Sequence, residues 1–85
     1  MFYVYILKSR KNGNIYIGFT SDLRKRLEEH NSGKTKSTSY RTPLDLVYYE
    51  AYKSRDDAEK REKMLKIWGR TLGGLKRRIK KSLES

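Results

Sequence analysis

The sequence predicts an α+β domain, in the broad α/β class: a three-stranded antiparallel sheet flanked by helices in the order β-β-α-β-α-α. Three observations predict it. The run Phe2-Tyr3-Val4-Tyr5-Ile6-Leu7 is aromatic and β-branched without polar alternation, as expected of a strand buried on both faces. It is followed by Asn12-Gly13, a strong hairpin-turn signal, and then by a return strand, Ile15-Tyr16-Ile17-Gly18-Phe19. Further along, stripes of apolar residues at helical spacing alternate with capping residues, and 85 residues suffice for one domain with one modest core, residues 1–85.

If Asn12-Gly13 is a two-residue loop, Lys11 pairs with Asn14, Ser9 with Tyr16 and Leu7 with Gly18. Side chains alternate along a strand, so Tyr3, Tyr5, Leu7, Tyr16 and Gly18 share one face. Val4, Ile6, Ile15 and Ile17 share the other, which is purely aliphatic. The first face sets phenol hydroxyls beside a glycine that leaves room.

Thr20-Ser21-Asp22 offers caps for a helix running to about His30 and ended by Asn31-Ser32-Gly33. Leu23, Arg26, Leu27 and His30 fall on one stripe; Arg26 and His30 need a partner at its edge. Arg24, Lys25, Glu28 and Glu29 read as solvated. The Ser/Thr-rich, basic stretch from Lys34 to Pro43 reads as an exposed loop in which Lys34, Lys36 and Arg41 are suited to phosphate contacts. Leu44 to Tyr52 forms the third strand.

Ser54, with Asp57 three residues on, resembles a capping box opening a helix from about Arg55 to Trp68. Its expected inner face carries Ala58, Glu62, Leu65 and Trp68, which places an acid in an apolar stripe. Glu59 lies on another line and is spaced to pair with Lys63. A last, basic helix is expected at about 71–83, with Leu72, Leu75, Ile79 and Leu83 along it and a first turn weakened by Gly73-Gly74.

Charge narrows the function classes. Lys and Arg number 21 against 10 Asp and Glu, a formal net charge of +11, which favours a polyanionic partner: nucleic acid first, an anionic membrane surface second. There is no cysteine, so neither a disulfide framework nor a zinc-thiolate site is available. No apolar stretch approaches the ~20 residues that span a bilayer, and the start lacks a signal-peptide pattern, so a cytoplasmic location is expected.

Taken in order, Tyr3-Val4-Tyr5, Tyr16-Ile17-Gly18, Arg26, His30 and Glu62 resemble the GIY-YIG nuclease superfamily, from Phe2 to about Trp68. The chain looks closest to small stand-alone bacterial proteins of the UPF0213 type. The first motif departs from the pattern, reading Tyr-Val-Tyr for Gly-Ile-Tyr, but keeps its final tyrosine, Tyr5. Many family nucleases also carry a separate recognition domain for which 85 residues leave no room, so a protein partner supplying specificity is one expectation.

The resemblance implies a metal-dependent endonuclease acting on nucleic acid, DNA in preference to RNA. The alternative is a non-catalytic nucleic-acid-binding module that keeps the fold. It implies that Tyr5 and Tyr16 sit at the reacting phosphate and that one of them helps activate water. Glu62 would hold a single Mg²⁺ or Mn²⁺, Arg26 would pair with the phosphate, and His30 matches a further site position. The residue types suit this chemistry. A hard cation held by a carboxylate and substrate oxygens neutralises phosphoryl charge. Arginine presents a planar donor fork to phosphate. A phenol of ordinary pKa ~10 becomes a useful base only near positive charge.

Overall fold

The computed structural model describes residues 1–84, with the side chains of Lys36, Ser37 and Arg41 outside the described set. Strands β1 (Phe2–Ser9), β2 (Ile15–Thr20) and β3 (Leu44–Tyr52) form one antiparallel sheet in the order β2-β1-β3. Helix α1 (Leu23–Asn31) and a short 3-10 helix (Lys36–Arg41) join β2 to β3, and α2 (Arg55–Ile67), α3 (Gly69–Arg78) and α4 (Lys80–Glu84) follow. Among the described residues, no helix is long and apolar enough to cross a membrane.

Because β1 is paired on both edges and covered on both faces, Val4, Tyr5, Ile6 and Leu7 are all buried, which explains its unbroken apolar run. The sheet divides two cores. On one face Val4, Ile6 and Ile17 pack with Ala58 and Leu65 of α2 and Leu75 of α3. On the other, Tyr5, Leu7 and Leu44 pack with Tyr16, Leu46 and the α1 residues Leu23 and Leu27.

The hairpin register differs from the expected one by two residues. Leu7 faces Tyr16 and Tyr5 faces Gly18. The turn is longer than two residues because Ser9 closes it: its carbonyl accepts from Gly13 N (2.9 Å), its N–H donates to Asn14 O (2.9 Å), and its hydroxyl accepts from the Lys11 and Asn12 amides. Gly13, at φ +75°, supplies the left-handed residue. An even shift leaves every side chain on its face, so the expected division into two faces survives the change of partner.

A bulge in β3 decides which of its residues meet which core. The pairing with β1 slips by one residue between Ile6 and Leu7, with Tyr48 opposite Ile6 but Leu46 opposite Leu7. Leu44 and Leu46 therefore join the α1 side, whereas Tyr48 and Tyr52 join the α2 side. Between the two tyrosines Glu50 accepts hydrogen bonds from both their hydroxyls and from Arg61 of α2, whose Nε and Nη2 reach its two oxygens at 2.9 and 3.0 Å. The Arg61 guanidinium and the two hydroxyls hold the Glu50 carboxyl below its ordinary pKa although burial opposes them.

The helix caps follow the sequence: Asp22 accepts from Lys25 N, and Ser54 from Asp57 N. The C-terminal third differs in three respects. The helix expected to reach Trp68 ends at Ile67, because Trp68 is extended (φ −99°, ψ 98°) and serves as the junction between α2 and α3. That extended backbone leaves Trp68 61% exposed instead of on the inner face. The basic segment expected as one helix at about 71–83 is two, parted at Ile79 (φ −110°, ψ 27°), and Gly73-Gly74 lies mid-helix because α3 begins at Gly69. Glu59 pairs with Arg55 at 2.7 Å, one turn before it, where Lys63 was expected.

Glu50→Gln keeps the shape but removes the charge that Arg61 and both tyrosines address. Urea unfolding is expected to show a loss of about 1–3 kcal/mol, the range for hydrogen bonds to a charged group in a partly buried setting. An unchanged midpoint and slope would show that this cluster does not hold α2 to the sheet.

Candidate active site

Tyr5 points from the middle of the sheet toward β2, and Gly18 makes this possible. A Cβ at position 18 would lie 2.3 Å from both Cζ and the hydroxyl oxygen of Tyr5, inside any real contact distance. The ring therefore occupies the space a side chain would take, and Tyr5 is 1% exposed. Its hydroxyl lies 2.9 Å from His30 Nε2, and His30 Nδ1 lies 2.7 Å from Thr38 Oγ1. Thr38 in turn donates to Thr35 O at 3.5 Å.

These contacts set the proton positions. Thr38 gives its hydroxyl proton to Thr35 O, which leaves His30 Nε2 as the acceptor for the Tyr5 hydroxyl. The imidazole then carries its proton on Nδ1 and donates to Thr38 Oγ1, leaving the threonine hydroxyl to donate onward. Burial pushes the Tyr5 phenol above its ordinary pKa; the Arg26 guanidinium beside it pulls the other way, and the charges of Tyr16 and Glu62 add to the rise. Burial likewise lowers the His30 pKa, helped by the positive charge of Arg26 and opposed by Glu29. The resting state is a protonated phenol on a neutral imidazole.

Tyr16 sits beside this pair with its ring 5.1 Å from that of His30 and 6.4 Å from that of Tyr5. It is half-buried. No buried side-chain polar atom lacks a partner among the described residues, and Tyr16 makes no side-chain hydrogen bond there, so its hydroxyl reaches solvent. Arg26, half-exposed, bonds weakly to Glu29 at 3.4 Å and keeps donors free beside Tyr5.

Glu62 belongs to the partly buried border of α2, its side chain 22% exposed, and Lys66 pairs with it at 2.9 Å. Its charge contributes to the rise of the Tyr5 pKa, and no hydrogen bond joins the two side chains. Among the described residues no group of three or more His, Cys, Asp or Glu could hold a metal ion unaided. A single, partly exposed carboxylate still fits a hard cation that keeps its waters and takes further oxygens from a phosphate. The Lys66 pair that would yield is an i,i+4 contact worth about 0.3–0.5 kcal/mol.

The structure thus brings Tyr5, Tyr16, Arg26 and His30 together, with Glu62 at longer range. Lys34 is exposed; the side chains of Lys36 and Arg41 lie outside the described residues. The segment expected as an exposed loop is instead a 3-10 helix that buries Thr38 completely. Thr38 is the site residue that sequence reading missed, since one threonine in a Ser/Thr-rich stretch carries no distinguishing signal. A cavity of about 330 Å³ between Tyr3, Leu23, Leu27, Leu46 and Tyr49 contains none of the candidate site residues.

A family model described as the GIY-YIG catalytic domain matches residues 1–81. A UPF0213 protein of Bacillus pumilus is 44% identical over 69 residues, which is 80% of this chain and 69% of that protein. Another, of Streptococcus pneumoniae, is 45% identical over 65 residues, 75% of this chain but 65% of that protein, so this chain spans under two thirds of that relative. The solution NMR structure of a UPF0213 protein from Bacillus halodurans superimposes with a TM-score of 0.54 at 36% identity, covering 89% of this chain and 86% of that one.

Two measurements check the geometry. Gly18→Ala is expected to cost about 1–3 kcal/mol in denaturant unfolding because the Tyr5 ring must move; a neutral effect would show that the ring does not rest there. His30 is the sole histidine, and its folded pKa lies below the unfolded value of ~6.5. Its neutral form therefore contributes stability above ~6.5, lost as pH falls through the depressed folded value. Unfolding followed from about pH 7.5 to about pH 5.5 should show falling stability, with a flatter profile in His30→Gln. Parallel profiles would contradict a buried neutral imidazole.

Proposed function

We propose, for a chain that belongs to the GIY-YIG family, a metal-dependent endonuclease that hydrolyses phosphodiester bonds of nucleic acid, DNA in preference to RNA. The family is of nuclease type, and such nucleases are in general metal-dependent and act on nucleic acid. The observation that carries the reading is the cluster itself. A buried Tyr5–His30–Thr38 hydrogen-bond chain supports one solvent-facing phenol, Tyr16, and one guanidinium, Arg26, on a chain of net charge +11.

In this reading Tyr16 meets the attacking water, because its hydroxyl reaches solvent while that of Tyr5 is committed to His30. Arg26 turns its donors to a phosphoryl oxygen and stabilises the charge that grows there. Tyr5 and His30 are positioning residues: their rings hold the Tyr16 ring, and burial beside the guanidinium keeps the imidazole neutral. Glu62 is the residue that would hold Mg²⁺ or Mn²⁺, which when bound supplies charge neutralisation at the phosphoryl and leaving-group oxygens. Lys34, which is exposed, is assigned to the phosphates of the flanking backbone, as are Lys36 and Arg41 by their charge alone.

The Lys66–Glu62 pair is the one observation that favours the second reading, a binding module in which the carboxylate stays occupied. Nicking of supercoiled plasmid with Mg²⁺ or Mn²⁺ separates the two. The endonuclease reading expects metal-dependent nicking, abolished by EDTA and by Glu62→Gln and reduced about 10²–10⁴-fold in Tyr16→Phe, the range for losing a positioned proton acceptor. Plasmid binding without nicking would favour the module. Equal nicking by Glu62→Gln would remove Glu62 from the site.

A further inference from the structure

We infer that Trp68 is a stacking platform for an unpaired nucleotide beside the phosphate-directed site, so that the substrate class is single-stranded or locally unpaired nucleic acid. The inference rests on the nucleic-acid reading above and adds which form of nucleic acid is engaged.

Trp68 is the sole tryptophan, and the extended backbone between α2 and α3 turns it outward, 61% exposed. Exposing the largest apolar side chain is costly unless something covers it. It does not stand alone. Met64 and Ile67, which precede it by four residues and by one, are exposed as well, so three large apolar side chains face water at the end of α2. Lys60, Lys63, Lys66 and Arg70 border the patch and are all exposed. The sequence holds no acidic residue from Lys63 through Leu83. An aromatic face set in positive charge suits a base attached to a phosphate.

Position links the patch to the candidate site. Glu62 lies six residues before Trp68, about 9 Å along the helix axis and about 120° around it. Lys66, which pairs with Glu62, lies between them. A strand that passes along the C-terminal half of α2 from Glu62 would meet Trp68 within a few nucleotides. A paired base is already stacked within its duplex and offers no free face, which is why the platform selects unpaired nucleotides.

Two other occupants fit less well. An anionic membrane would need a broad apolar helix face, but Leu72 and Leu75 of α3 and Ile79 at its end are packed against the core. A second copy on the same patch would bring two acid-free basic segments together.

The test uses the intact chain, without added metal, and reads two signals at once: tryptophan fluorescence and the anisotropy of a labelled oligonucleotide. A single-stranded oligonucleotide is expected to quench the fluorescence along the anisotropy isotherm, while a blunt duplex binds without quenching. Trp68→Ala should weaken single-strand binding by about 5- to 100-fold and leave duplex binding unchanged. Trp68→Phe, which keeps an aromatic face, should restore part of the loss. Single-strand binding without quenching, or equal affinity in Trp68→Ala, overturns the inference. So does quenching by phosphatidylserine vesicles but not by oligonucleotides, or self-association lost in Trp68→Ala. If the platform fails while Glu62-dependent nicking persists, the endonuclease reading stands. If neither strand form binds and nothing is cut, both fall.

Discussion

A phenol leaves water at low cost only when its hydroxyl finds an acceptor, and Tyr5 is almost wholly buried in the central strand. The acceptor is His30 at the end of α1, which is itself buried and bonded to Thr38 in the following 3-10 helix. The central strand is therefore tied to α1 and to the 3-10 helix after it by one chain of hydrogen bonds. Gly18 completes the arrangement by giving the Tyr5 ring a place on the sheet. The orientation of α1, the burial of Thr38 and the position of Tyr16 against the imidazole all follow from how Tyr5 is satisfied.

The second constraint is the covering of both faces of a three-stranded sheet by a chain of 85 residues. Each strand has to serve two cores, and β3 does so by means of its bulge. The bulge hands its first residues to the α1 core and turns Tyr48, Glu50 and Tyr52 toward α2. There the Glu50–Arg61 pair anchors the residue next to Glu62. The carboxylate candidate thus owes its position to a polar cluster on the face opposite the tyrosines.

Charge shapes the site as much as geometry does. Arg26 opposes the effect of burial on Tyr5 and reinforces it on His30, so one guanidinium keeps the phenol closer to ionisation and the imidazole neutral. Glu62, a lone carboxylate with a lysine partner, suits a cation shared with a phosphate better than one held by protein alone.

The patterning of β1 and β2, the caps of α1 and α2, and the bounds of β3 were legible because each rests on local preference: turn chemistry, period and capping. The candidate residues Tyr5, Tyr16, Arg26, His30 and Glu62 were proposed from their order and spacing through the family resemblance. Their partners were not. The register offset of two, the bulge, the Glu50–Arg61 cluster and the burial of Thr38 depend on which hydrogen-bonding groups meet across the fold. No local window of sequence contains that information. Trp68 shows the same divide: its helical spacing puts it inside, yet one extended residue at the junction turns it out because α3 supplies the core instead. Composition and periodicity thus settled that this chain forms a basic α+β domain with a tyrosine-bearing sheet face. The satisfaction of buried polar groups, a property of contacts between distant segments, decided which of those side chains meet and which face water.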